Sequence, residues 1–293
     1  MRRFILTFIF VSLYLCIAVQ VKAQRNPLGS QFFINPYIIN PAMAGSEQGL
    51  RLNGAFRRQK DASPGGPVAQ NITADYGFGK AGVGLNLDNN RAGLLRETRV
   101  MGTYAYHLPL DGVDQFLHFG ISAGLRSQRI DVSDLNGNGD DVLVGQYNDR
   151  QNYFDGDFGT SYTSGSLSIQ ASILNLKHFF KKDVIEIDDR ETFYTAVSYR
   201  IYLTAAGSAD FTPLVAYRGV DNSDNIWDAG GQLSVADRQV FLSALYHSND
   251  MATFGIGVNY LGKYLISGLY NVNTAGLNEN SSGSFEIGFG MKL

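Results

Sequence analysis

Two stretches of the chain and three scattered histidines are of the kind that do chemistry. Asp134-Leu135-Asn136-Gly137-Asn138-Gly139-Asp140-Asp141 opens like an EF-hand calcium loop, in which oxygen ligands alternate around a glycine turn. The twelfth position from Asp134 is Gly145, where such a loop needs a bidentate glutamate, and no helical pattern flanks the stretch. A solvated acidic loop is the simpler reading, with calcium held by these oxygens as the alternative. Tyr246-His247-Ser248-Asn249 sets a base beside a nucleophile, as in phospholipases built on barrels. Adjacent strand residues point to opposite faces, so His247 and Ser248 cannot pair with each other. The remaining histidines, His107, His118 and His178, lack metal-ligand spacing of the His-Glu-x-x-His kind. No catalytic residue, metal ligand or cofactor-binding set is assigned, no cofactor is expected, and the chain is not expected to be an enzyme.

The elements around these residues begin with a leader. Arg2 and Arg3 precede an apolar run from Phe4 to Val19, and Val21-Lys22-Ala23 offers a signal-peptidase site before Gln24, so residues 1–23 read as a signal peptide. A single-pass anchor is the alternative, but no stop-transfer pattern follows. Leu15 occupies the place where a lipoprotein peptidase wants a small residue, so Cys16 is not expected to carry a lipid. Cleavage removes Cys16, the one cysteine, and excludes disulfides and thiolate metal sites from the mature chain. It also removes Arg2, Arg3 and Lys22 from the 24 basic residues, leaving 21 against 27 acidic ones and a net charge near −6. That sign excludes nucleic acid as a partner.

After Ala23 no apolar run is long enough for a membrane helix, yet the chain holds 33 Gly, 16 Tyr and 19 Phe, a composition suited to many short strands. Alternation with period two recurs at about the length a tilted strand needs to cross a bilayer. Ile72, Ala74, Tyr76 and Phe78 share one face; so do Val83, Leu85 and Leu87; so do Phe119, Ile121, Ala123 and Leu125; so do Phe285, Ile287, Phe289, Met291 and Leu293. The opposite faces are polar or small and place Arg51, Arg57, Asp75, Arg99, Arg126, Arg200 and Glu286 inside. This predicts an all-β transmembrane antiparallel barrel of about fourteen strands over residues 48–293, in contact with outer-membrane lipid. Short turns at Gly79-Lys80, Thr163-Ser164-Gly165, Ala236-Asp237-Arg238 and Leu261-Gly262-Lys263 alternate with longer polar loops, expected at 60–67, 89–93, 131–156, 177–190, 220–225 and 273–283. Ser248-Asn249-Asp250 is a short link where a long one is due. The last eight residues also resemble a C-terminal barrel-assembly signal, with Leu293 in place of the usual aromatic residue.

Between leader and barrel, residues 24–47 form a segment with paired Asn-Pro steps: Gln31-Phe32-Phe33-Ile34-Asn35-Pro36-Tyr37-Ile38-Ile39-Asn40-Pro41-Ala42-Met43-Ala44-Gly45. This stretch resembles the N-terminal hallmark of the PorP/SprF family of the Bacteroidota. Arg57-Arg58-Gln59, Asp155-Gly156-Asp157-Phe158-Gly159 and Leu174-Asn175-Leu176 resemble that family too. The resemblance implies an outer-membrane protein of type IX secretion, or of the associated gliding motility, that docks secretion machinery or a particular secreted cargo. Which cargo it serves is not written in the sequence.

Proline removes a donor and biases the preceding residue away from helix, so the segment is expected to be extended. Its aromatic and aliphatic side chains need cover, against the periplasmic mouth, in the lumen or on a partner, with a disordered leader as the alternative. Phe32, Phe33, Asn35, Pro36, Tyr37, Asn40 and Pro41 are the expected partner-binding residues. The inward charges fit either a water-filled channel or a plugged interior, which keeps a porin or hydrophobe transporter as the second functional reading.

Overall fold

Hydrocarbon offers no hydrogen-bond partners, so strands that cross it must satisfy one another and the sheet must close. The structure, a computed structural model, describes residues 29–59, 66–110, 114–130, 152–177, 191–220, 224–274 and 283–293. The expected leader, the acidic stretch at Asp134 and His178 lie outside these residues. The wall consists of β1 (Gly49–Gln59), β2 (Val68–Phe78), β3 (Ala81–Ala92), β4 (Leu95–Pro109), β5 (Gln115–Ile130), β6 (Asn152–Ser164), β7 (Leu167–Ile173), β8 (Glu191–Tyr199), β9 (Ile201–Tyr202), β10 (Asp210–Val220), β11 (Ile226–Val235), β12 (Val240–His247), β13 (Met251–Tyr260), β14 (Tyr264–Asn273) and β15 (Ser284–Lys292). Every pairing is antiparallel. β15 returns to β1, and β10 joins β11 to complete the ring. β9 carries the β8 register onward along β10 past a break at Arg200, so the closed barrel has fourteen strands.

The two faces are chemically inverted relative to a soluble protein. Ile72, Val83, Leu85, Tyr104, Ile121, Leu125, Val258, Ile266, Phe285 and Ile287 lie on the outer face and are all exposed. Asn71, Thr73, Asp75, Arg99, Arg126, Asp157, Arg218 and Glu286 point inward and are buried. Of the other charges expected inside, Arg57 is buried, while Arg51 and Arg200 are half-buried. The alternation therefore follows the register read from sequence, because only every second residue of a membrane strand faces lipid and has to be apolar.

Short links 79–80, 165–166, 236–239 and 261–263 gather at the end where Gly49 and Leu293 lie, the periplasmic end by the usual rule for such barrels. The seven-residue link 203–209 lies there too, while the other end carries the longest links, with two exceptions. One is Ser248-Asn249-Asp250. The other corrects an expectation: β3 runs on to Ala92, so in place of a polar loop at 89–93 there is a two-residue hairpin turn at Gly93-Leu94, with Gly93 at φ 56°. Glycine as the first residue of such a turn supplies the left-handed conformation that matches strand twist. Asn89, Asn90 and Arg91 look loop-like because they are strand residues beyond the apolar band. In the same way Asn152 to Gly156, expected in the long loop, begin β6.

Candidate functional site

The inward-facing residues enclose the chain's own N-terminal segment. Residues 29–43 fold as three short 3-10 turns, Gly29–Phe33, Pro36–Ile38 and Pro41–Met43, rather than as the extended stretch expected. Proline is the reason for both the expectation and the correction. Asn35 (φ −141°) and Asn40 (φ −136°), each before a proline, are indeed pushed out of the helical region. Each proline then opens a turn, where its fixed φ fits and its missing N–H costs nothing. Asn40 caps the third turn by accepting from the Ala42 amide at 3.0 Å.

This plug touches the wall on many sides. Asn35 Nδ2 donates to Thr73 Oγ1 on β2 at 2.7 Å, and Tyr37 donates to Thr103 on β4 at 2.7 Å. Asn40 Nδ2 donates to the Thr160 carbonyl on β6 and to Gln170 on β7, while Ser172 donates to the Ile39 carbonyl. Gln31 donates to Glu286 on β15. Phe32 and Ile39 fill an apolar patch made by Tyr194, Ala196, Leu214, Ala216 and Leu245 of β8, β10 and β12. Where the plug returns to the rim, Gly45 N donates to Asp75 at 2.8 Å and the carboxylate also holds Arg51. At the rim itself Glu47 accepts from Lys292 Nζ at 2.7 Å. Partial burial raises the Glu47 pKa, but Lys292 and Arg51 together more than reverse this and hold it below its ordinary value.

Of the seven residues expected to bind a partner, Phe32, Asn35, Tyr37, Asn40 and Pro41 are buried in the barrel, and Phe33 and Pro36 are half-buried. Sequence reading did not find what receives them. Gly120 and Gly159 are direct cross-strand partners on β5 and β6, and both face inward. A Cβ on Gly120 would collide with Pro41 and Ala42, and one on Gly159 would collide with Asn40. The pair forms a bare patch on which the second Asn-Pro step lies. Gly77 and Gly82, another cross-strand pair, do the same for Ala44 and Gly45.

Buried charges lie in the outer half of the lumen. Arg99 holds Asp157 through both carboxylate oxygens at 2.6 Å, and the Asn175 amide donates to the same group at 3.0 Å. Arg126 donates to the Asn175 side chain and lies 3.5 Å from Asp155. Asp155-Gly156-Asp157 and Leu174-Asn175-Leu176, far apart in sequence, thus form one clamp, with Asn175 in the left-handed region at φ 56°.

Two histidine arrangements also depend on cross-strand register. His107 Nε2 meets the Ala44 carbonyl of the plug at 3.1 Å, and its Nδ1 lies 2.8 Å from His118 Nδ1. A carbonyl only accepts, so His107 carries its proton on Nε2. With both rings neutral, His118 must then donate from Nδ1 and accept from Thr163 at 2.9 Å. On the other side Asp228, His247 and Thr253 stand in series, at 2.5 and 2.7 Å, in the connectivity of a hydrolytic triad. Arg218 forks onto the same Asp228, Thr253 donates its hydroxyl to Asn271, and both His247 (0% exposed) and Thr253 (2%) are buried. Ser248 is turned away and accepts from the Trp227 amide, as expected from strand parity. Among the described residues no group of three or more His, Cys, Asp or Glu is placed to hold a metal.

The family described as type IX secretion system membrane protein PorP/SprF matches residues 21–291, plug and wall together. The chain belongs to this family. No curated protein matches it. Among solved structures it is similar to the outer-membrane protein Omp33 of Acinetobacter baumannii, at 8% identity over 85% of this chain and 100% of that one, with a TM-score of 0.50. It is also similar to the toluene transporter TbuX of Ralstonia pickettii, at 11% identity over 87% and 92% of the two chains, with a TM-score of 0.51. At such identities the likeness speaks of fold alone. Fold and family together make this PorP/SprF chain an outer-membrane β-barrel of the type IX secretion system.

Proposed function

We propose that this PorP/SprF barrel is a non-enzymatic docking component, which holds secretion machinery or one secreted surface protein at the outer membrane and conducts no solute through its lumen. The observation that carries this reading is the plug: residues 31–45 bind β2, β4, β6, β7, β8, β10, β12 and β15 across the interior. A barrel occupied in this way works through its rims. Phe33 and Pro36, the two half-buried members of the Asn-Pro segment, keep surface for a partner while the plug is in place; the other five become available only if it leaves.

The test is a deletion strain, complemented by two variants. Loss of the protein is expected to impair secretion or surface display of a type IX cargo while general outer-membrane permeability stays unchanged. Replacing residues 136–151 by a Gly/Ser linker should abolish display if cargo is read from outside, since surface loops tolerate length changes. Substitutions within residues 35–41 should do so if docking is periplasmic. Normal secretion of every such cargo, together with lost uptake of one small solute, would establish a transporter instead. A pull-down from native membranes identifies the partner directly.

A further inference from the structure

The outward face of β1 to β5 turns basic at its extracellular end. Following one ladder row from strand to strand, Phe254 opposes Tyr270, Tyr270 opposes Phe285, Phe285 opposes Arg58, Arg58 opposes Val68, Val68 opposes Arg91, Arg91 opposes Arg96, and Arg96 opposes Arg129. The row is aromatic on β13, β14 and β15 and becomes basic on β1, β3, β4 and β5, where it has climbed to the extracellular ends of the strands. All four arginines share the parity of the lipid-facing residues of their strands. Arg58, Arg96 and Arg129 are exposed and Arg91 is half-buried. The apolar band ends two positions earlier, at Ile72, Leu87, Val100 and Leu125, which also form one row. Between the two lies a row of neutral donors and acceptors, Gln70, Asn89, Thr98 and Ser127, with Asn89 bonded to Gln70 and Thr98.

Like charges directly opposite one another destabilise a sheet. Arg91, Arg96 and Arg129 do this on three consecutive strands, about 10 Å from first to last at ordinary strand spacing. No outward position of β1 to β5 among the described residues is acidic. A phosphate lying against the row meets several guanidinium groups at once, and their planar forks suit it in particular. Each arginine carries five donors, so contacts within the protein leave others for a ligand. The row lies where the apolar band gives way to polar residues at the extracellular end, the level of outer-leaflet headgroups.

We propose that Arg58, Arg91, Arg96 and Arg129 form a binding site on the outer wall for the phosphorylated headgroup of an outer-leaflet lipid. The lipid's acyl chains lie along Ile72, Leu87, Val100 and Leu125, so the site holds one side of the barrel against a fixed lipid.

The full chain, purified in a nonionic detergent, is titrated with bis-phosphorylated lipid A, and its thermal midpoint is read from heat-modified gel mobility. The lipid should raise the midpoint of wild type. The double variant Arg96→Gln/Arg129→Gln should need at least about tenfold more lipid for the same shift, the factor that accompanies loss of one charge-assisted contact. Dephosphorylated lipid A should shift neither, and Lys263→Gln at the opposite end should behave as wild type. Equal titrations of wild type and double variant, or equal effects of phosphorylated and dephosphorylated lipid, would overturn the proposal. A full shift by millimolar inorganic phosphate alone would overturn the lipid in favour of a free-anion site. Should the double variant fail to assemble, Arg129→Gln and Arg58→Gln alone carry the same comparison.

Discussion

At the scale of single residues, the plug is held by contacts that one side chain can remove. Asn40 donates to Thr160 and Gln170 and caps its own turn, so Asn40→Ala should cost about 1–2 kcal/mol of plug docking. Gly120→Leu should act more severely, since even a Cβ there meets Pro41 and Ala42. We expect a barrel that still migrates fast before boiling but whose segment 31–45 is cut by protease; a segment as resistant as in wild type would show that the wall yields instead. On the outer face, Ile121→Arg, in the middle part of β5, should cost about 2–4 kcal/mol, read from denaturant unfolding in lipid vesicles. An inward arginine is not the mild control it would be in an open pore. Ser122 lies 4% exposed beneath Thr103, which holds Tyr37, so the lumen has no room there.

At the scale of elements, the strands are legible in the sequence, whereas for the plug only the need for cover is, with the lumen as one of three places for it. Period-two alternation reports a local demand, lipid on one face, and each strand states it in its own residues. That is why parity alone assigns Ile121 and Ser122, or Phe285 and Glu286, to opposite faces. The plug's shape depends instead on Gly77 with Gly82 and Gly120 with Gly159, pairs that matter only once register sets them side by side. The clamp of Arg99, Arg126, Asp155, Asp157 and Asn175 is hidden for the same reason, although Asp155, Asp157 and Asn175 stand among the motifs that resemble the family. His247 neighbours Ser248 in sequence, while its actual partners sit on β11 and β13. Removing residues 29–45 while keeping residues 1–28 should leave the wall closed and the lumen open. The measurement is planar-bilayer conductance: wild type silent, deletion variant steadily conducting. A silent deletion variant would mean that wall side chains alone close the lumen.

At the scale of the whole molecule, closure without a sheet edge gives detergent nowhere to begin unfolding. Unboiled protein should therefore migrate faster than boiled protein, and identical mobilities would count against the barrel. Plug and wall also differ in when they can form. The plug's terminal contact joins Gln31 to Glu286, and the rim contact below it joins Glu47 to Lys292, partners 255 and 245 residues apart. Neither exists until β15 has been added, so the segment that precedes β1 waits for the last strand. An incomplete barrel has no place to lodge its own first segment, which stays outside and accessible. Occupancy of the lumen is then a report that all fourteen strands have been laid down in register, legible to any factor that binds the segment only while it is still displaced.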